Sequence, residues 1–184
     1  MTLIRFEIEG DGVPADSYFV LEVKPEWAPL GAARFLELVE AGFFDDNRFF
    51  RVLDGLYDIW IAQFGIHGTP EVHATWEQKR IRDDPVKHSN TRGTVAFATS
   101  GPNTRTTQLF LNFGDCSKVL DRDFAPFAEV VSGMAAVDSI HKVGDSPPGP
   151  NQQAITTLGN DFLDKNYPKL TRIKTARIVD KSGL

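Results

Sequence analysis

The feature that most constrains the fold is a pair of short apolar strands at residues 94–113, separated by a polar loop. The strands TVAFAT and QLFLNF are joined by SGPNTRTT, which is too long and too rich in turn-forming residues for a two-residue hairpin. Strand alternation sends Val95 and Phe97 to one face, and Ala96 and Ala98 to the other. The small side chains of the second face leave room for a ligand beside the loop, which indicates a binding surface.

Further apolar segments predict that the protein is mainly β. TLIRFEIEG and YFVLEVKP, within residues 2–24, are expected to form an antiparallel pair. The closing segment RIKTARIVDK is expected to pair with the first strand. Three more strands are predicted in RFFRVL (48–53), WIAQFGIHG (60–68) and AEVVSG (128–133). About eight strands fit a closed antiparallel barrel.

Two helices are predicted to cap this barrel. The first begins near Pro29, which suits the first helical turn, and stops at Gly42. Its apolar stripe consists of Ala32, Phe35, Leu36 and Val39. The second helix is predicted over residues 133–143. The sequence thus predicts a single domain of residues 1–184, a closed eight-stranded antiparallel barrel capped by two α-helices.

The remaining segments are predicted to be mainly irregular. Residues 69–90 are polar and are interpreted as a long structured loop, with His73 and His88 as surface groups. Residues 115–127 are interpreted as a loop, and a single helical turn is expected to end near Gly159. The histidines lack metal-ligand spacing, so no metal site is expected.

Composition excludes several classes of partner. The net charge of −5 and dispersed basic residues argue against nucleic-acid binding. No apolar run approaches the length of a membrane span, and the charged N-terminal segment does not resemble a signal peptide. The single cysteine, Cys116, cannot form an internal disulfide, which favours a reducing compartment or at least a fold that is indifferent to redox state. We therefore expect a cytoplasmic monomer that contacts neither membranes nor nucleic acids.

Two isolated polar residues in the apolar strands require an explanation. Arg51 could be a strand arginine paired with Asp54 or Asp58, or it could serve a ligand. Gln63, like Gln108 in the central pair, could be a buried amide that satisfies loop backbone, or part of a binding site. Residue types alone leave both alternatives open.

Four segments, RFFRV, AQFGIHG, FATSGPNTRTTQLF and FAEVVSGM, together resemble the cyclophilin family of peptidyl-prolyl isomerases. The resemblance spans nearly the whole chain. It implies an eight-stranded barrel packed with side chains, two capping helices and a substrate groove on the outer face. It also implies isomerisation of X-Pro bonds in peptides and proteins, assisting their folding or conformational switching, without a cofactor or metal.

The resemblance further implies roles for individual residues. Arg51 matches the family's catalytic arginine, and Gln63 matches its substrate-orienting glutamine. The implied substrate-binding residues are Trp60, Ile61, Ala98, Thr99, Gln108, Phe110, Val119, Leu120 and Phe124.

Several positions depart from the family pattern. Phe50 and Phe124 replace histidines, and Val119 replaces a tryptophan whose indole N–H the family uses for cyclosporin-type macrocycles. Weak binding of those macrocycles is therefore expected. The interval between Arg51 and Gln63 is longer than usual, and the extra residues are placed within 54–59. These departures keep open a proline-peptide binding module with weak or no turnover, and the long 69–90 segment suggests a scaffold as a third alternative.

Overall fold

Eight antiparallel strands form one continuous sheet that curls around an aromatic core. The computed structural model describes residues 1–181. The strands are β1 (Thr2–Glu9), β2 (Tyr18–Val23), β3 (Arg51–Asp54), β4 (Trp60–Phe64), β5 (Thr94–Phe97), β6 (Leu109–Asn112), β7 (Ala128–Ser132) and β8 (Arg172–Val179). Their order across the sheet is β3-β4-β6-β5-β7-β2-β1-β8. The predicted pairings of β1 with β2 and of β1 with β8 are confirmed.

The two ends of the sheet meet through the residues that precede β3. Arg48 forms an antiparallel bridge with Arg172 of β8. On either side of this bridge, the Phe49 amide donates to the Thr171 carbonyl at 3.0 Å, and the Ile173 amide donates to the Asn47 carbonyl at 2.9 Å. The predicted eight-stranded barrel is therefore confirmed, with its closure limited to this short stretch of backbone.

Phenylalanine rings fill the interior of the barrel. Phe6 of β1 stacks on Phe19 of β2 at a centroid distance of 5.0 Å and contacts Phe64 of β4 edge-on at 6.0 Å. Phe35 of the first helix also stacks on Phe6, at a centroid distance of 6.2 Å. These rings are fully buried. Offset and edge-on contacts between aromatic rings add to the free energy gained from burying apolar area.

Within residues 1–181 five α-helices accompany the sheet, where two helices and a single helical turn were predicted. They are α1 (Pro29–Glu40), α2 (Pro70–Glu77), α3 (Ser117–Leu120), α4 (Met134–Asp138) and α5 (Gln152–Asn166). The prediction for α1 is confirmed, with Ala32, Phe35 and Val39 buried and Leu36 partly buried. Its first turn lacks a side-chain cap from its own N-cap residue. That role falls to Asp84, whose carboxylate accepts hydrogen bonds from the amides of Leu30 and Gly31.

Other helix predictions were wrong in extent. The helix predicted over 133–143 is the five-residue α4, because the chain beyond it turns back and the His141 amide donates to Thr171 Oγ1 at 3.0 Å. Residues 115–127, interpreted as a loop, contain the short helix α3. The predicted loop 69–90 contains α2, and its His73 is buried rather than a surface group.

Gly159 kinks α5 instead of ending it. Its φ of +67° breaks the regular helix, yet the chain continues to Asn166. A Cβ at this position would lie 2.2 Å from the Gly68 carbonyl oxygen, and the Asn160 amide donates to that same oxygen at 2.9 Å. The glycine therefore permits a close approach between α5 and the start of α2.

Candidate active site

A groove with a volume of about 570 Å³ lies on the outer face of the barrel. It runs over β3, β4 and β6 and is bordered by the loop between β5 and β6. Its lining residues are Arg51, Ile59, Ile61, Gln63, Glu77, Arg80, Ala98, Thr99, Ser100, Thr104, Thr106, Gln108, Phe110, Leu120, Phe124 and Gln152.

Strand register brings three of these residues together. Arg51 of β3 pairs with Gln63 of β4, and Gln63 in turn pairs with Phe110 of β6. Residues directly opposite in neighbouring strands project from the same face of the sheet, about 4.5–5.5 Å apart at Cβ. The extra residues between Arg51 and Gln63 form a short 3₁₀ turn at Leu56–Asp58, outside the paired strands.

A hydrogen-bond relay connects the polar side chains of the groove. Arg51 Nη1 donates to Gln63 Oε1 at 3.2 Å, and Gln63 Nε2 donates to Gln108 Oε1 at 2.9 Å. Gln63 is therefore hydrogen-bonded to two side chains, those of Arg51 and Gln108. The relay fixes both amide groups beside the Arg51 guanidinium.

The ion-pair partner of Arg51 is Asp145, neither Asp54 nor Asp58. Arg51 Nε and Nη2 donate to the two carboxylate oxygens of Asp145 at 2.8 and 2.9 Å. This hydrogen bonding from Arg51 lowers the pKa of Asp145 below its ordinary value. The carboxylate is therefore ionised at neutral pH.

An apolar hollow lies next to this polar cluster. The rings of Phe110 and Phe124 meet edge-on with centroids 5.3 Å apart. Ile61 and Leu120 complete the hollow, and Ala96 packs beneath it in the same cluster. Its size and character suit a small apolar ring held by aromatic and aliphatic walls.

The loop that borders the groove is held in shape by its own hydroxyl groups. Thr104 Oγ1 accepts from the Ser100 amide at 2.9 Å and lies 2.9 Å from Thr99 Oγ1. Farther along the loop, Asn103 exchanges two hydrogen bonds with Asp83, at 2.8 and 2.9 Å. This rim is therefore organised before any ligand binds.

Residues 1–181 contain neither a metal-ligand cluster nor a membrane-spanning helix. No group of three or more histidine, cysteine, aspartate or glutamate side chains could hold a metal ion. No helix in this range is long and apolar enough to cross a membrane.

Comparison with known proteins identifies the family. A family model described as cyclophilin type peptidyl-prolyl cis-trans isomerase/CLD matches residues 5–164. The chain belongs to the cyclophilin family. The peptidyl-prolyl cis-trans isomerase-like 3 of Rhizopus delemar is 31% identical over 159 residues, which cover 79% of this cyclophilin and 91% of the relative. A peptidyl-prolyl cis-trans isomerase of Acinetobacter baylyi is 32% identical over 143 residues, covering 72% and 71% of the two chains.

Solved structures show the same fold. A crystal structure of a cyclophilin type peptidyl-prolyl cis-trans isomerase from Cryptosporidium parvum matches with a TM-score of 0.68 at 16% identity, covering 98% of both chains. A second crystal structure of that protein, in the presence of the dipeptide Ala-Pro, matches with a TM-score of 0.67 at 16% identity and covers 97% and 99% of the chains.

Trp60 and Val119, two of the expected substrate-binding residues, do not line the groove of this cyclophilin. Alternation along β4 sends Ile61 and Gln63 outward, whereas Trp60 is partly buried between the interior cluster and the cluster that forms the hollow, close to Gly55 and Gly114. Val119 is 43% exposed on α3. The other nine predicted site residues all line the groove.

Phe50, which replaces a family histidine, directly precedes β3 and does not line the groove. It is buried and packs with Ile155 and Leu163 of α5. The replacement therefore serves the packing of α5 and does not alter the lining of the groove.

Several groove residues were missed from the sequence. Glu77 and Arg80 come from α2 and the residues just after it, a segment interpreted as loop. Gln152 begins α5, and Ile59 precedes β4. The remaining missed residues belong to the bordering loop, whose turn-forming composition was the available signal: Ser100, Thr104 and Thr106.

Proposed function

We propose that this cyclophilin isomerises X-Pro peptide bonds in the groove, with Arg51 as the catalytic cation. The supporting observation is the register that sets Arg51, Gln63 and Phe110 side by side on three adjacent strands. This arrangement pairs a guanidinium with a ring-sized apolar hollow. The curated relatives are named peptidyl-prolyl cis-trans isomerases, which supports the same activity.

The chemistry follows from the structure of the amide bond. Rotation about a peptide bond faces a barrier of about 18–20 kcal/mol because the nitrogen lone pair is delocalised into the carbonyl. In the twisted amide this lone pair returns to nitrogen, which becomes a better hydrogen-bond acceptor. Arg51 donating to that nitrogen would bind the twisted state more tightly than the planar one, which is the requirement for catalysis. A charge-assisted hydrogen bond contributes about 1.5–3 kcal/mol, or about a ten- to a hundred-fold rate increase.

The guanidinium retains donors for a substrate. A guanidinium carries five N–H groups in a fixed planar fork. Within residues 1–181, Asp145 and Gln63 accept three hydrogen bonds from it. The pair with Asp145 uses the Nε side of the fork, so two N–H groups on the terminal nitrogens are left for an X-Pro bond.

The remaining groove residues are proposed to bind the substrate. Phe110, Phe124, Ile61 and Leu120 would hold the proline ring, so that the carbonyl on its N-terminal side can turn. Ala98, Thr99 and Gln108 would contact the extended peptide. The Cryptosporidium parvum cyclophilin was crystallised in the presence of Ala-Pro, which supports proline-containing peptides and proteins as ligands of this groove.

A cis-to-trans isomerisation assay on a short proline peptide tests the proposal. Arg51→Ala is expected to lower the catalysed rate about ten- to a hundred-fold. Arg122→Ala is the matched control, because this arginine is 89% exposed and lies outside the groove. Equal rates for Arg51→Ala and the parent would overturn the catalytic role. Binding of peptide by the parent without turnover would instead indicate a proline-peptide binding module.

We also propose that cyclosporin-type macrocycles bind weakly, because valine at position 119 offers no side-chain N–H donor. A sub-micromolar dissociation constant in a titration would overturn this. A role in protein folding, a cytoplasmic location, a monomeric state, the lack of nucleic-acid partners and a single domain over residues 1–184 stay predictions.

A further inference from the structure

We propose that Asp145 is a positioning residue that holds the Arg51 guanidinium in the orientation required for isomerisation; this proposal rests on the catalytic role proposed for Arg51. Both carboxylate oxygens accept hydrogen bonds from Arg51, at 2.8 and 2.9 Å. A bidentate contact of this kind fixes the plane of the guanidinium as well as its distance.

Asp145 is itself fixed relative to β3. Gly144 forms an antiparallel bridge with Val52, with hydrogen bonds of 3.0 and 3.3 Å in the two directions. In an antiparallel bridge the flanking residues also face each other, which places Asp145 opposite Arg51. Gly144 has a φ of +82°, a conformation that favours glycine.

Local hydrogen bonds hold the carboxylate and its backbone. The Ser146 amide donates to Asp145 Oδ1 at 2.8 Å. The Gly149 amide donates to the Asp145 carbonyl oxygen at 2.6 Å. Contacts within its own loop therefore orient the carboxylate independently of Arg51, as expected of a residue that positions another.

Arg51 needs such support because little else restrains it. Its side chain is 28% exposed, and within residues 1–181 its one side-chain hydrogen bond outside the pair with Asp145 is the 3.2 Å contact to Gln63. A long arginine side chain has many accessible rotamers, and ordering it costs conformational entropy. If the orientation is already fixed in the free protein, this cost does not add to the barrier of the reaction.

Asp145 also compensates part of the positive charge of Arg51. This would slow the reaction, whereas holding the guanidinium in place would speed it. A carboxylate at 2.8 Å partly compensates the positive charge that would favour the twisted amide. If compensation dominated, removal of the carboxylate charge would accelerate the reaction. We expect orientation to dominate, because the side-on pair leaves the terminal N–H groups available, as described above.

The test compares Asp145→Asn, Asp145→Glu, Arg51→Ala and the double variant Arg51→Ala/Asp145→Asn. NMR exchange measurements at saturating proline peptide give kcat, and titrations give peptide affinity. Asp145→Asn is expected to lower kcat about five- to twenty-fold with little change in KM. Asp145→Glu, which keeps the carboxylate, is expected to recover part of this loss. In the Arg51→Ala background Asp145→Asn should have no further effect.

The matched control is Asp138→Asn. Asp138 also forms a bidentate pair with an arginine, Arg92, but neither residue lines the groove. Its substitution should leave kcat unchanged.

An unchanged or faster kcat in Asp145→Asn would overturn the positioning role while Arg51→Ala remained impaired. If Asp145→Asn lowered kcat by the same factor in the Arg51→Ala background as in the parent, its effect would be a general structural one, and the positioning role would also be overturned. If Arg51→Ala itself kept the parent rate, the proposed function would fail first. The Arg51 Nε–H resonance of the parent supplies an independent measurement: it should exchange slowly with solvent, and rapid exchange would contradict a fixed guanidinium.

Discussion

Asp84 is expected to be one of the most sensitive positions for stability, because one buried carboxylate serves two parts of the fold. Its Oδ1 accepts from the Leu30 amide at 3.1 Å, and its Oδ2 accepts from the Gly31 amide at 2.8 Å. Arg105 Nη2 also donates to Oδ2, at 3.0 Å. The Arg105 side chain is 6% exposed and the Asp84 side chain is 2% exposed.

Asp84→Ala would remove all three contacts at once. Loss of a helix N-terminal cap costs about 0.5–2 kcal/mol. Breaking a buried ion pair costs about 3–5 kcal/mol. Here the Arg105 charge stays buried and is left with the more distant and more exposed carboxylate of Asp83, at 3.6 Å. These values overlap, since the same carboxylate makes every contact. We therefore expect a total loss of about 3–5 kcal/mol in the free energy of unfolding.

Urea unfolding followed by circular dichroism at neutral pH measures this loss. For a chain of this size, about 3–5 kcal/mol corresponds to a decrease in Tm of roughly 6–20 °C. Asp84→Asn should fall between the parent and Asp84→Ala, because the amide oxygen still accepts from the helix while the charge is lost. Asp83→Asn is the matched control, because Asp83 is 44% exposed and lies 3.6 Å from Arg105. A loss below about 1 kcal/mol in Asp84→Ala would refute the reasoning.

Two further predictions concern the backbone at Gly65, which follows β4, and the stability of the protein at acidic pH. Gly65→Ala should destabilise the protein by at least about 1–3 kcal/mol, because Gly65 has a φ of +104° and a Cβ there would lie 2.2 Å from the Thr107 carbonyl oxygen; an unchanged urea midpoint would contradict this. Hydrogen bonds from their arginine partners lower the pKa values of Asp138 and Asp145 below the ordinary 3.8, so their contribution to stability is present above that pH and is lost as the pH falls through the lowered values. The urea midpoint of Asp138→Asn should consequently vary less than that of the parent between about pH 5 and about pH 2.5, and parallel curves would exclude the contribution.

Local sequence patterns were sufficient for the sheet. Alternation in the first segment predicted β1 and its pairing with β2, and the closing segment was correctly expected to pair with β1. Side chains along a strand alternate between its two faces, so the alternation of apolar residues in the sequence identifies the buried face. The same logic applies to α1, whose first-turn proline and apolar stripe are local signals.

Helices that depend on distant contacts were not predictable in this way. The length of α5 depends on a close approach between Gly159 and Gly68, which no local propensity reports. Glycine near a predicted helix end normally indicates a stop, and here tertiary packing overrides that tendency. His73 is likewise buried because α2 packs against α5 and the neighbouring aromatic residues, although its sequence surroundings are polar.

The amino-acid sequence by itself determined the strand pattern, the family and the nine groove residues shared by the prediction and the structure. Only the tertiary structure decided that Trp60 does not line the groove and that Arg51 pairs with Asp145, which is 94 residues away along the chain. Alternation and turn signals act over a few residues, whereas an ion pair across such a separation exists only after the barrel has brought the two backbones together.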